Sequence, residues 1–315
     1  MTLAAVIAAC SAERSAKTQP DASAVREHAA EADAADDAAR PSPGQLCSGC
    51  ADHRPDHDDT RVRFHHVHLN VVDPAAAREF YVNVFAAEPV RLNGASDALW
   101  LSPMLFLFNR VQSMPDDTLE MGLDHVGRGS TDVMGWFARA TQLGVMGDPR
   151  QGFQPTPMSI GGLTYVYLRG PGAERIEVYS AGTIVIADNT DASETFQHVH
   201  FLCPDVDTTV EWYSALLQLR ANPSNGLGRD IVVDRVSLFF ASYYQPSRFV
   251  PSDDRPMGHI AFSVSDLEAM HARAKLMGIE IVSEPAWSED GFKSFFVRGP
   301  QQVLLEFVEA SAIDR

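Results

Sequence analysis

Short apolar runs alternate with longer amphipathic segments from residue 62 to residue 309. Four of the runs, "ALWL" (98–101), "MLFLF" (104–108), "LTYVYL" (163–168) and "IEVY" (176–179), are bounded by turn residues and predict strands. The amphipathic segments have helix boundary signals: Asp73 precedes Pro74, "SDLE" (265–268) resembles a capping box, and Gly144 and Gly278 follow two segments. The pattern predicts a strand–helix–strand–strand–strand unit that occurs four times.

Three pairs of segments repeat without gaps and in the same order. "HVHLNVVDPAAAREFY" (66–81) aligns with "HVHFLCPDVDTTVEWY" (198–213). "DHVGRGSTDVMGWFARATQLG" (124–144) aligns with "GHIAFSVSDLEAMHARAKLMG" (258–278), and "RGPGAERIEVY" (169–179) with "RGPQQVLLEFV" (298–308). The body is therefore a duplication of a two-unit segment.

The repeat divides the chain into two α+β domains and a tail. We predict domain 1 over residues 61–182, a linker over 183–194 and domain 2 over 195–309. Residues 1–60 are rich in Ala, Asp, Glu, His and Pro, which is typical of a solvated tether.

Four βαβββ units with His on the first strands and Glu on the last strands resemble the vicinal oxygen chelate superfamily. That group includes glyoxalase I, extradiol dioxygenases, fosfomycin-resistance proteins and bleomycin-resistance proteins, and the resemblance covers about residues 62–309. It implies curved mixed sheets in which two units of one domain form a cup around one metal ion, and therefore two tandem cups.

The resemblance also implies a ligand set. In domain 1 it places the ligands at His66, His125 and Glu177, and in domain 2 at His198, His259 and Glu306. Two imidazoles and a carboxylate hold a divalent metal and leave open coordination positions for a substrate with two adjacent oxygens. Without a thiolate in the set, we expect Fe, Mn, Zn, Co or Ni and cannot choose among them from the sequence.

His68 and His200 complete a His-x-His pair at the start of each domain. Because strand residues i and i+2 face the same side, these two imidazoles are expected beside the metal as acid–base catalysts, substrate partners or supports of the ligands, while His65 is expected to face away. The structural alternative is a hydrogen-bonded core histidine. The recurrence of the pair favours a role in the site.

Two family patterns are not reproduced. Glyoxalase I uses a Glu or Gln on the last strand of its first unit, but "MLFLFNR" (104–110) and "VSLFFAS" (236–242) have neither at the strand centre. The turns before the two Glu strands match the extradiol signature poorly.

We therefore expect a metal-dependent enzyme of dioxygenase or lyase/isomerase type. The alternatives are a bleomycin-resistance-type protein that sequesters a small molecule, and an envelope interaction module with vestigial metal sites.

Composition narrows the partners. A formal net charge of −17 provides no basic face for nucleic acid, so a small-molecule substrate is expected.

The run before Cys10 resembles a lipoprotein signal, although no Lys or Arg precedes it. A lipidated Cys10 predicts a membrane tether in the cell envelope, and a chance match leaves a cytoplasmic protein. Cys47 and Cys50 form a single C-x-x-C that favours a disulfide or free thiols over zinc, and Cys203 is expected in the core.

Overall fold

The computed structural model describes most of the predicted body. The described residues are 62–92, 96–116, 120–149, 155–182, 194–224, 226–242, 246, 248–288 and 291–309. Cys10, Cys47, Cys50, the tether and all of the predicted linker except Glu194 lie outside them. No helix among the described residues is long and apolar enough to span a membrane.

Fifteen strands and four α-helices are described, and they follow the predicted order of units. The strands are β1 Arg63–Val71, β2 Glu88–Leu92, β3 Ser96–Leu101, β4 Met104–Arg110, β5 Leu123–Ser130, β6 Met158–Ile160, β7 Leu163–Arg169, β8 Arg175–Ser180, β9 Phe196–Leu202, β10 Arg229–Val233, β11 Val236–Ala241, β12 Met257–Val264, β13 Glu280–Trp287, β14 Lys293–Arg298 and β15 Leu304–Glu309. The helices are α1 Pro74–Phe85, α2 Val133–Gln142, α3 Val206–Leu217 and α4 Leu267–Leu276. In the described part of the third unit, an isolated bridge from Ala221 to Ile231 stands where the other units have a further strand.

Helix boundaries follow the capping signals with one correction. The Asp73 carboxylate accepts hydrogen bonds from the backbone of Ala75 and Ala76, directly before Pro74. In the fourth unit, however, Asp266 rather than Ser265 is the N-cap, with its carboxylate accepting from the Ala269 backbone N–H. A carboxylate accepts such bonds as well as a hydroxyl does, and here the helix starts one residue later than the capping-box prediction.

The two sheets join the units differently from the predicted tandem arrangement. An eight-stranded sheet has the order β13-β14-β15-β12-β1-β4-β3-β2, and a seven-stranded sheet has the order β10-β11-β9-β5-β8-β7-β6. The first unit therefore pairs with the fourth and the second with the third, through antiparallel contacts of β1 with β12 and of β5 with β9. Pairing of consecutive units within residues 61–182 and 195–309 was wrong. All four units have similar patterns, so the repeat alone does not determine which first strands meet.

One apolar core spans both sheets and the helices packed on them. The Phe106 ring on β4 lies 5.2 Å from the Phe196 ring on β9, and Phe85 of α1 lies 5.1 Å from Trp136 of α2. Tyr81 of α1 is fully buried in this core. The histidines predicted as ligands are not part of this apolar core, and they form the two candidate sites.

Candidate metal centres

The histidines and glutamates predicted as ligands gather at the middle of each sheet. In the eight-stranded sheet, β1 contributes His66 and His68, β12 contributes His259 and β15 contributes Glu306. We call these four residues the β1–β12 centre. His68 stands directly opposite His259 in the antiparallel ladder, so the two imidazoles reach the same point from neighbouring strands.

The four side chains of the β1–β12 centre converge through one atom each. His66 Nε2 lies 3.3 Å from His259 Nε2, and His68 Nδ1 lies 3.1 Å from the same atom. Glu306 Oε2 is 3.2 Å from both His66 Nε2 and His259 Nε2. His259 Nε2 is therefore the central donor, with the other three donor atoms within 3.3 Å of it.

The seven-stranded sheet repeats this arrangement with His125 of β5, Glu177 of β8, and His198 and His200 of β9. We call these four residues the β5–β9 centre. His125 Nε2 lies 3.3 Å from both His198 Nε2 and His200 Nδ1. Glu177 Oε2 lies 3.5 Å from His125 Nε2 and 3.4 Å from His198 Nε2. The same atom types occupy the same positions in both centres.

These separations suit a bound divalent ion. Ligand atoms about 2.1 Å from one ion stand roughly 3.0 Å apart in octahedral and about 3.4 Å apart in tetrahedral geometry. The donor separations of 3.1–3.5 Å in the two centres match this range. Three imidazole nitrogens and one carboxylate oxygen are ligands for Fe, Mn, Co, Ni or Zn, and no thiolate is included.

The membership of each centre differs from the predicted triads. His66 meets His259 and Glu306, and His198 meets His125 and Glu177. The triads predicted within each domain, from His66 with His125 and from His198 with His259, were wrong in their grouping. All six predicted ligands lie in one of the two centres. In each centre, however, the His-x-His pair comes from one half of the duplication, and the remaining histidine and the glutamate come from the other half.

His68 and His200 are placed as ligands of a metal ion and not only as residues that support its ligands. Their Nδ1 atoms belong to the converging sets, as the groups His66–His68–His259 and His125–His198–His200 show. His65 does not face away from the β1–β12 centre as predicted. A β-bulge between Phe64 and His66 changes its direction, and its Nδ1 lies 2.7 Å from His66 Nδ1.

Burial and pairing set the charge states of the site groups. Burial alone would raise the pKa of Glu177, but its hydrogen bonds to His125 and His198 hold that pKa well below its usual range. The pKa of Glu306 is lowered in the same way by His259 and His66. Burial lowers the pKa of His68 and His200 well below 6.5. The carboxylates are therefore charged and these imidazoles neutral at pH 7, which is the state that binds metal.

The β5–β9 centre also has a buried charged network that the sequence reasoning missed. The Asp124 carboxylate accepts a 2.6 Å hydrogen bond from His125 Nδ1. Arg175 Nη1 donates to both Asp124 oxygens at 3.3 Å, and Arg175 Nε donates to Asp148 at 3.4 Å. Both Asp124 and Arg175 are charged residues within otherwise apolar predicted strands. Charged residues at such positions could have indicated a buried ion pair.

The strand that carries the additional glyoxalase ligand has no such ligand here. Leu105 and Leu107 of β4 lie beside His66 and His68, and Ser237 and Phe239 of β11 lie beside His198 and His200 in the other sheet. The fourth converging donor therefore comes from the His-x-His strand itself.

The two centres differ in their surroundings. Next to the β1–β12 centre is a buried cluster without hydroxyl groups, formed by Leu92, Ala98, Leu105, Leu107, Phe292 and Val308. Next to the β5–β9 centre is a cluster formed by Tyr165, Tyr167 and Tyr179 with Met158, Ile160 and Leu163. The Tyr167 ring lies 5.1 Å from His125, and the Tyr179 hydroxyl donates to Gln197. Identical donor sets thus stand in environments of different polarity.

Other residues singled out in the sequence lie outside the centres. Arg298, at the end of β14, is paired with Asp253 through two hydrogen bonds. Arg169 ends β7 and pairs with Arg175 in the ladder. Cys203 is fully buried, which confirms its prediction as a core residue, and Tyr213 is fully buried as well.

Two clusters of histidine and glutamate on sheets built from repeated βαβββ units are features that can be compared with known protein families. The family model "Glyoxalase/Bleomycin resistance protein/Dioxygenase superfamily" matches residues 63–243 and 195–307, and the chain belongs to this superfamily. No curated protein matches the chain by sequence.

Solved structures agree on the fold. The chain is similar to glyoxalase I from Zea mays, solved as a mutant, with a TM-score of 0.60, 15% identity, and coverage of 79% of this chain and 93% of that one. It is also similar to a proposed dioxygenase from Bacillus subtilis, with a TM-score of 0.54, 14% identity, and coverage of 80% and 86%. At such identities the likeness concerns the fold alone.

Proposed function

We propose that the protein is a divalent-metal-dependent enzyme of this superfamily, acting on a small substrate that chelates the metal through two adjacent oxygens. The observation that carries this proposal is that two imidazole nitrogens and one carboxylate oxygen lie 3.1–3.5 Å from the Nε2 atom of a central histidine, His259 in one sheet and His125 in the other. Duplicated buried carboxylates surrounded by histidines are costly unless they serve a cation.

The residues that would hold the metal are the four of each centre. A metal ion held by these side chains would be completed by a substrate that offers two adjacent oxygens. A bound ion would act as a Lewis acid toward those oxygens. The donor set of imidazoles and a carboxylate would suit Fe, Mn, Co, Ni or Zn.

The chain's own groups prepare each centre for this role. Glu177 and Glu306 remain ionised, because neighbouring imidazoles lower the pKa of each carboxyl. His68 and His200 remain neutral because burial lowers their pKa, so each can offer a nitrogen lone pair at pH 7. The apolar cluster beside the β1–β12 centre would exclude water from a bound substrate. The similarity to glyoxalase I and to a proposed dioxygenase is compatible with either isomerase or dioxygenase chemistry.

The second candidate is a small-molecule-binding protein without catalysis, of the bleomycin-resistance type. The observation that favours it is burial: of the eight donor residues, only His68 is partly exposed, and the other seven are buried. A bound molecule would then be held without the solvent access that turnover needs.

Metal content and turnover test the two candidates together. We expect two ions per chain in the wild type by elemental analysis, none in H66Q/H125Q, and two in the control H271Q, which changes a buried histidine of α4 outside both centres. Protein loaded with Fe(II), Mn(II), Co(II) or Ni(II) is then assayed for oxygen uptake with catechols and for isomerisation of hemithioacetals. Absence of bound metal in the wild type contradicts the proposal, and metal-dependent catechol binding without turnover supports the second candidate.

A further inference from the structure

We infer that Asp124 is a positioning residue for His125 and that it makes the β5–β9 centre the tighter of the two metal sites. The inference rests on the proposed metal binding. It concerns Asp124 and Arg175, whose aligned positions in the repeat are Gly258 and Leu304.

Asp124 is held in place by Arg175 as well as by His125. Its side chain and that of Arg175 are completely buried, and Arg175 Nη1 stands 3.3 Å from each Asp124 oxygen. The guanidinium is fixed in turn by Asp148 and by the Tyr167 ring, whose centroid lies 4.6 Å away. The carboxylate that faces His125 therefore has little freedom to move.

This geometry determines which nitrogen of His125 faces the other donors. A carboxylate accepts but does not donate, so the 2.6 Å contact places the proton on His125 Nδ1. The lone pair is then on Nε2, which is the atom 3.3 Å from His198 Nε2 and from His200 Nδ1. A carboxylate behind a metal-bound imidazole also makes that imidazole a stronger ligand.

Charge adds to the difference between the centres. Asp124 and Asp148 together outweigh Arg175 by one negative charge, in addition to the charge of Glu177. Two net negative charges in a buried region match one divalent cation.

The β1–β12 centre has different residues at the equivalent positions. Gly258 precedes His259 where Asp124 precedes His125, and Leu304 stands where Arg175 stands. In this centre His65 lies within hydrogen-bonding distance of a ligand, with its Nδ1 2.7 Å from His66 Nδ1. An imidazole that is neutral gives weaker support than a fixed carboxylate does.

The test is a metal titration of the full chain, followed by Co(II) absorption in competition with a chelator. We expect two binding steps for the wild type, with the tighter step retained in H66Q/H259Q. D124N keeps the shape of the side chain and should weaken the tighter step by about 10- to 100-fold while leaving the other unchanged. D205N is the matched control, because it makes the same Asp-to-Asn change at the N-cap of α3, outside both centres; both steps should persist within about threefold, well inside the effect expected of D124N.

Superimposable titrations of D124N and wild type would overturn the inference while leaving metal binding intact, and absence of binding to the wild type would instead contradict the proposed function. A measurement without a variant at Asp124 covers the case in which D124N does not fold. In Zn(II)-loaded wild type labelled with ¹⁵N-histidine, the signal lost in H125Q should report a proton on Nδ1. An unprotonated Nδ1 overturns the inference.

Discussion

His66 and His259 are separated by 193 residues, yet their Nε2 atoms lie 3.3 Å apart. The equivalent atoms of His198 and His125, separated by 73 residues, are also 3.3 Å apart. The β1–β12 centre therefore combines residues from the beginning and the end of the body. The residues of the β5–β9 centre all come from the part of the sequence between them. Neither centre is complete within one half of the duplication.

His68 distinguishes a four-ligand centre from a three-ligand centre with a catalytic histidine. Because its Nδ1 lies 3.1 Å from His259 Nε2, we expect H68Q to weaken metal binding at the β1–β12 centre by more than about 100-fold. H65Q, which removes a group that contacts His66 from behind, should cost about 10-fold. Both are measured in an H125Q background, so that a single centre is titrated. Unchanged affinity in H68Q together with lost turnover would make His68 a catalyst and not a ligand.

The duplication supplies a matched pair of tyrosines for a stability test. The Tyr81 hydroxyl donates a 2.5 Å hydrogen bond to the buried Glu174, whereas the Tyr213 hydroxyl is buried without a partner among the described residues. We expect Y81F to lower the free energy of unfolding by about 1–3 kcal/mol and Y213F to change it by less than about 0.5 kcal/mol. Urea unfolding measures both values. Equal losses in the two variants would show that the Tyr81–Glu174 bond contributes nothing specific.

The metal-free protein should lose stability in acid partly through His65. Burial and the neighbouring His66 lower the pKa of His65 from 6.5 to about 3. Below pH 6.5 the unfolded chain binds a proton that the folded chain does not, so stability falls as the pH decreases toward 3. The slope for one such group is about 1.4 kcal/mol per pH unit.

The variant H65N isolates this contribution, since His125 has a raised pKa and acts in the opposite direction. We expect the unfolding free energy, measured in urea with chelator between pH 7.5 and 5, to depend less steeply on pH in H65N than in the wild type. Parallel curves would contradict the assignment of a neutral, buried His65.

The four units and the ligand residues can be predicted from the sequence, but the pairing of one unit with another cannot. Period-2 runs, the Asp73–Pro74 start and the His-x-His repeat are local signals, and the structure has the predicted elements at those places. Whether β1 meets β5 or β12 depends instead on contacts between distant strands, and all four units offer similar edges. The bulge at His65 and the salt bridge of Arg175 to Asp124 also depend on the assembled sheets, which is why strand alternation gave the wrong direction for His65.

The stoichiometry of two double variants tests the central claim most directly. H66Q/H259Q changes two ligands of one centre, whereas H66Q/H125Q changes one ligand in each. At a metal concentration that just saturates the wild type, and with folding checked by circular dichroism, we predict one bound ion per chain for H66Q/H259Q and none for H66Q/H125Q. The reverse result, none for the first variant and one for the second, would contradict the account and restore the pairing of consecutive units.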